Sequence, residues 1–224
     1  MIPVLGVPTL YRYDLLERML ASVDETWDRL VVIDNGGKCP PLWKAHVVSL
    51  PANLGVPASW NLIMKVTPDA PWWAIVNDDI EFAAGDLASL CEAMADPAPR
   101  VVTLDGFGAF AINRACVDRV GLFDENFVPA YCEDADYEYR CKLAGVPILS
   151  IPAGLRHDRS TTIAEPRYKA ENDRTYPLNR TYFGVKWGGD LRGGETFDSP
   201  FDSGAGVDEW SLDFPRLREQ AWHG

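Results

Sequence analysis

Residues 72–81 read WWAIVNDDIE. Five apolar residues run straight into Asn77-Asp78-Asp79, which Ile80 and Glu81 follow. A short continuous apolar run predicts a buried central strand, with the acidic cluster just past its C-terminal end. In an open α/β sheet that edge is where ligands bind. Unpaired charge is costly to bury, so these carboxylates need a cation, a hydrogen-bond donor or water. Mg²⁺ commonly takes one or two carboxylates together with substrate phosphates. Asp79 suits that role, and Asp78 could reach a ribose. A plain turn is the alternative, since Asn and Asp are turn residues.

Upstream, residues 2–7 predict the first strand, which leads into a polar turn at Thr9. Asp14 followed by Glu17 predicts a capping box, and Leu15, Leu16, Met19, Leu20 and Val23 fall on one helical face. Residues 30–33 predict a second strand that delivers Asp34 at its end, and residues 47–50 a third. The loop at residues 51–57 opens a helix at about residues 58–65, with Asn53 and Asn61 flanking its start. Repeated strand-helix-strand units predict a parallel α/β sheet. Thr9 and Asp34 then share a sheet edge with Asp79, where a base and ribose would be gripped; ordinary strand-end caps are the alternative.

Downstream, residues 85–95 predict a helix ended by Pro97 and Pro99. Residues 101–104 and 109–113 predict strands, and 114–120 a short helix closed by Gly121. Residues 131–144 carry Glu133, Asp134, Asp136, Glu138 and Arg140, with Gly145 as the C-cap. Glu133 and Asp134 begin that helix, where its dipole favours carboxylates. They follow Phe127-Val128-Pro129-Ala130-Tyr131, an apolar setting that suits a general base; solvated helix surface is the plainer reading. His157 follows a strand at 148–151 and suits either a metal ligand or a satisfied core histidine. Residues 158–174 are polar and expected to be mobile. Residues 176–187 are aromatic and basic, and predict either core or a stacking platform for an acceptor. Beyond Gly188 the composition shifts to Gly, Asp, Pro and scattered aromatics. The expected organisation is one domain over residues 1–187 and an irregular C-terminal extension, 188–224, packed on it, with 212–222 helical.

Composition narrows the classes. At 224 residues and 47% hydrophobic, the chain suits one globular domain with a real core. A formal net charge of −12 argues against broad nucleic-acid or anionic-membrane binding, which relies on clustered Lys and Arg. No apolar run approaches a membrane span. The N-terminus lacks the features of a signal peptide, and the five cysteines, without a CxxC pair, read as free thiols in a reducing compartment. The expected location is cytoplasmic. Aromatics in the tail point weakly to a homodimer contact.

Taken together, these stretches resemble glycosyltransferase family 2. The resemblance rests on VPTLYRYDLLERMLAS, VVIDNG, NLGVPASWN, IVNDDIEF, GLFDENFVPAYCEDADYEYRCKLAG with a following histidine, and YFGVKWGG. It covers about residues 2–188, and the block from Gly121 to Gly145 is its most specific part. The resemblance implies a GT-A fold: a Rossmann-like, mostly parallel central sheet with helices on both faces. It implies an inverting transfer from a nucleotide-diphosphate sugar, a UDP-sugar as first guess, to an acceptor hydroxyl, assisted by Mn²⁺ or Mg²⁺. Asp79 and His157 would bind the metal. Thr9, Tyr11, Asp34, Asn61, Asn77 and Asp78 would bind the donor nucleotide. Asp134 would be the general base, with Glu133 assisting. Asn77 departs from the strictest aspartate-rich motif, which leaves metal dependence open. The acceptor is open too: a glycan, a lipid-linked sugar, a protein side chain or a modified DNA base. A sugar nucleotidyltransferase would show a Gly- and Arg-rich first turn, which Val7-Pro8-Thr9-Leu10-Tyr11-Arg12 lacks. A non-catalytic nucleotide-sugar- or glycan-binding module is the remaining rival.

Overall fold

The computed structural model describes residues 1–42, 44–158 and 166–202. Seven strands form one sheet, in the spatial order 45–49, 27–34, 2–9, 72–76, 109–113, 101–105 and 148–150. Its members are β1 (Ile2–Thr9), β2 (Trp27–Asp34), β3 (Ala45–Ser49), β4 (Trp72–Val76), β6 (Val101–Asp105), β7 (Ala109–Asn113) and β8 (Ile148–Ser150). Strands β3, β2, β1 and β4 are parallel to one another. Strand β7 runs antiparallel to β4 and to β6. The cause is chain length: residues 106–108 can close a hairpin but cannot make a crossover. A small second sheet pairs β5 (Ile80–Glu81) with β9 (Arg156–His157).

The strand pleat sorts the apolar side chains into two layers. Trp72, Ala74 and Val76 face one core, while Trp73 and Ile75 face the other. Ala109 and Ala111 of β7 join the first core, and Phe110 and Ile112 the second. That alternation follows from side chains pointing to opposite sheet faces. Helices α1 (Tyr13–Ala21) and α3 (Asp86–Ala93) cover the first face through Leu16, Met19, Leu87 and Leu90. Helices α2 (Val56–Val66), α4 (Arg114–Val120) and α5 (Glu133–Ala144) cover the second through Trp60, Ile63, Cys116 and Tyr137. Helix α2 sits tightly on β1, because a Cβ at Gly6 would lie 2.5 Å from Ile63 Cγ2.

A third cluster lies between the Phe127 loop, α5 and α6 (Pro166–Trp187). Phe127, Tyr139, Tyr182, Phe183 and Trp187 fill it. The aromatic stretch before Gly188 is therefore core packing, and the stacking platform expected there is not formed by these buried rings. The expectation of a mobile polar segment also fails from residue 166 onward. Tyr168-Lys169-Ala170-Glu171 are acceptable helix formers, and Lys169 pairs with Asp173 one turn on at 2.6 Å. The capping box at Asp14 is absent as well. The N-cap of α1 is Arg12, which makes no side-chain cap. Its guanidinium instead donates to Asp14 inside the first turn. The five cysteines are free thiols. The expected helix at 212–222 lies outside the described residues. Among those described, no helix is long and apolar enough to cross a membrane.

Candidate active site

The strand ends and the N-terminus of α5 open onto one cavity of about 510 Å³. Thr9, Asn77, Asp78, Asp79, Asp105 and His157 line one wall; Tyr131, Glu133, Asp134, Tyr168, Glu171 and Asn172 line the other. Six carboxyl side chains therefore face it, and no Lys or Arg is among its described lining residues.

Asp78 and Asp79 follow β4 directly, as the apolar run predicted. Asn77 is fixed by its backbone N–H, which donates to Gly108 O at 2.8 Å. Asp78 Oδ2 accepts from Thr9 Oγ1 at 2.7 Å, so the ends of β1 and β4 are cross-linked. Burial, only partly offset by that bond, raises the Asp78 pKa to about 7. Asp79 meets His157 because β5 pairs with β9, with Ile80 opposite His157. His157 Nε2 lies 3.1 Å from Asp79 Oδ1, and Nδ1 lies 2.5 Å from Asp105 Oδ2. The hydrogen bond to Asp79, opposed by burial and helped by Asp105, raises the His157 pKa above its ordinary value. A Cβ at Gly108 would come within 2.9 Å of the imidazole Cε1, so the glycine makes room for that ring.

The donor chemistry fits a divalent cation. A neutral imidazole donating Nδ1–H to Asp105 would leave Nε2 as the ligand atom beside Asp79, the second-shell arrangement of metal-ligating histidines. Among the described residues no group of three or more His, Cys, Asp or Glu is arranged to hold a metal alone. Asp79 and His157 could supply two ligands, fewer than a divalent cation takes, so the remainder would have to come from water or a bound ligand.

The opposite wall is shaped by strained backbone. Tyr131 and Cys132 both have positive φ, 74° and 76°, just before α5. Such conformations persist only when their surroundings hold them. Asn179 of α6 does so, since its Nδ2 donates to Ala130 O at 2.9 Å and to Tyr131 O at 3.2 Å. The turn sets Glu133 and Asp134 at the helix N-terminus. Asp134 Oδ1 accepts from Ala135 N at 2.8 Å, and Oδ2 accepts from Arg192 Nη2 at 2.5 Å. Glu133 Oε2 is buried with no protein partner. Burial first, and Asp134 second, raise the Glu133 pKa to about 8.

The acidic cluster of α5 is thereby divided. Asp136 is fully buried and takes Arg140, Lys186 and the Trp187 indole N–H, so it anchors α6. Glu138 pairs with Arg192.

Three sequence candidates stand outside the cavity lining. Asp34 accepts from Tyr13 Oη, Gly36 N, Cys39 N and Ser49 Oγ, so its carboxylate builds the turn after β2. Asn61 bonds both backbone groups of Phe123 and the Glu125 carboxylate, tying α2 to that loop. Tyr11 is 42% exposed and stands over Gly36, where a Cβ would lie 2.7 Å from its ring. Sequence reading missed Asp105, Asn35, Ser59 and the α6 face. Asp105 carries the signal that marked Asp79, an acid ending an apolar strand. Tyr168, Glu171 and Asn172 recur at i, i+3 and i+4, the spacing of one helix face.

No family model matches the chain. Two structures of S. aureus TarS, a family 2 glycosyltransferase, are similar to it. The structure of TarS 1-349 has a TM-score of 0.50 at 17% identity, covering 80% of this chain and 65% of that one. A second TarS structure has a TM-score of 0.51 at 16% identity, covering 82% of this chain and 40% of that one. A galactofuranosyl glycosyltransferase of Leishmania donovani is 46% identical over 41 residues, 18% of this chain and 9% of that protein. The chain thus spans less than two thirds of each of these proteins. The mostly parallel seven-stranded sheet flanked by helices is the GT-A glycosyltransferase fold, as in TarS.

Proposed function

We propose that the protein is an inverting, metal-assisted glycosyltransferase that moves a sugar from a nucleotide diphosphate to an acceptor hydroxyl. The observation that carries this reading is the cavity's charge. Its described lining holds six carboxyl groups and no Lys or Arg. A diphosphate entering it would be repelled unless a cation came with it. Asp79 and His157 are the residues that would hold that cation.

Each residue then has a definite task. Asp134 accepts the proton of the acceptor hydroxyl as its oxygen attacks the anomeric carbon. The bond from that carbon to the diphosphate oxygen breaks, and the diphosphate leaves with the electron pair. Attack from the opposite face inverts the centre. A carboxylate oxygen can accept more than one hydrogen bond, so Asp134 keeps capacity while Arg192 orients it. Thr9 and Asp78, bonded to each other at the strand ends, are the residues that would contact the ribose. A bound Mn²⁺ or Mg²⁺ would supply positive charge against the departing diphosphate. Asp105 fixes the imidazole that would bind it.

A thermal-shift panel tests this, with UDP, GDP, dTDP, CMP and their sugars, each with and without Mn²⁺ or Mg²⁺. A ligand that binds only the folded state raises its stability by mass action. The expected result is a shift with one nucleotide family that needs the metal and is lost in Asp79→Ala. No shift with any nucleotide would count against the proposal, and a shift indifferent to metal would remove the metal from it.

A further inference from the structure

We infer that Arg18 is a positioning residue for the candidate metal ligands: it clamps β9 to β5 and so holds His157 beside Asp79. The metal role of that pair rests on the glycosyl-transfer reading of the cavity; the clamp itself rests on contacts. The small sheet that brings His157 to the cavity is too short to hold itself together. It has two residue pairs, Ile80 with His157 and Glu81 with Arg156. Asp158 N adds a backbone bond to Asp79 O at 3.0 Å. A two-stranded pairing by itself is marginal in water.

Helix α1 supplies the support. Ser22 Oγ, at its C-cap, accepts from Phe82 N at 3.0 Å, which fixes the chain just after β5. Arg18 lies one turn earlier, on the same helix face. Its Nη2 donates to Asp158 Oδ2 at 2.6 Å, and its Nε pairs with the Glu81 carboxylate. One guanidinium therefore spans both strands, with a planar fork suited to carboxylates. Arg156 also pairs with Asp158, Nε to Oδ1 at 2.9 Å, but it belongs to β9 and ties nothing across. Without the Arg18 charge, the two carboxylates drawn to it would repel each other. Neither Arg18, Glu81 nor Asp158 lines the cavity, so Arg18 acts on the site only through the strands it joins.

The test begins with hydrogen exchange, without metal or nucleotide. In Arg18→Gln, exchange at the Asp158 amide should quicken about three- to tenfold, the loss of one tie. The Val31 and Ile75 amides in the central strands should keep their rates. Mn²⁺ affinity, titrated calorimetrically with the nucleotide that gives the largest thermal shift, should fall by a similar factor. Arg18→Lys keeps the charge but not the fork, and should recover part of both losses. Asp158→Asn cuts the same tie without touching α1. It should reproduce both changes, and the double variant should be no worse than either single one. An unchanged rate at Asp158, or equal quickening at Val31 and Ile75, would overturn the clamp. Unchanged Mn²⁺ affinity in Arg18→Gln would overturn its role in holding the ligands. If the unaltered protein binds no nucleotide with Mn²⁺, the glycosyl-transfer reading fails, while the exchange rates still decide the clamp.

Discussion

The two walls of the cavity handle their polar groups in opposite ways. On the sheet side Asp78 has Thr9, and His157 has Asp79 and Asp105. That wall is internally satisfied, with the imidazole between two carboxylates. On the helix side Glu133 Oε2 and Asn172 Oδ1 have no protein partner, and the chain enters α5 through two residues of positive φ. The sheet wall pairs its polar groups across neighbouring strands, whereas the helix wall pairs Asp134 with Arg192 and leaves two buried oxygens unpaired. Strand ends can cross-link their side chains through the register of neighbouring strands. A helix N-terminus set by a strained turn depends on distant packing, here Asn179 and the Asp136–Lys186 pair.

Breaking the helix wall should have the largest effect on turnover. Asp134→Asn removes the proton acceptor but keeps shape, so transfer should fall about 10²–10⁴-fold while nucleotide affinity is retained. Steady-state rates beside nucleotide titrations check this, and unchanged transfer would take Asp134 out of the base role. On the sheet wall, Asp105→Asn leaves both proposed ligands in place but weakens the hold on the imidazole. Metal affinity should drop about 10–100-fold, the usual cost of losing such an outer partner. Calorimetric titration with Mn²⁺ in the presence of nucleotide would read it, and equal affinity would separate Asp105 from the metal.

A third test sharpens the contrast through stability. The Glu133 carboxyl has its folded pKa raised from 4.5 to about 8. Between those values the folded protein holds a proton that the unfolded chain has released. Stability from this group therefore falls as pH rises through that window, and levels off above about pH 8. Glu133→Gln removes the slope. Its melting temperature relative to the unaltered protein should rise steadily from pH 5 to pH 8. A constant difference across that range would mean that Glu133 is not held as the neutral acid.

Much of the sheet wall was legible in the sequence, because a buried strand writes a continuous apolar run and the residues after it fall at the sheet edge. That logic placed Thr9, Asp78 and Asp79. It also named Asp34, whose position at the edge was as expected while its carboxylate is taken up by Tyr13, Gly36, Cys39 and Ser49. Nothing in the spacing of a strand end says whether a carboxylate turns outward or into its own turn. The α6 segment was less legible. Its hydrophobic periodicity is almost nil, so the pattern that reveals amphipathic helices gave no signal. Pro177 within the helix removes a backbone donor and further disguises it.

By itself, the sequence determined the α/β class, the central strand and the edge at which acidic residues collect, since these follow from local runs of apolar side chains and from what ends them. Only the tertiary structure decided which of the acids share a cavity. It brought Asp105 to His157 across 52 positions of chain, turned Asp136 inward to Lys186 and left Glu133 Oε2 without a protein partner. The reason is physical: a carboxylate's role depends on the charges and donors within a few ångströms of it, and those neighbours are set by strand pairing and helix packing, far from it in sequence.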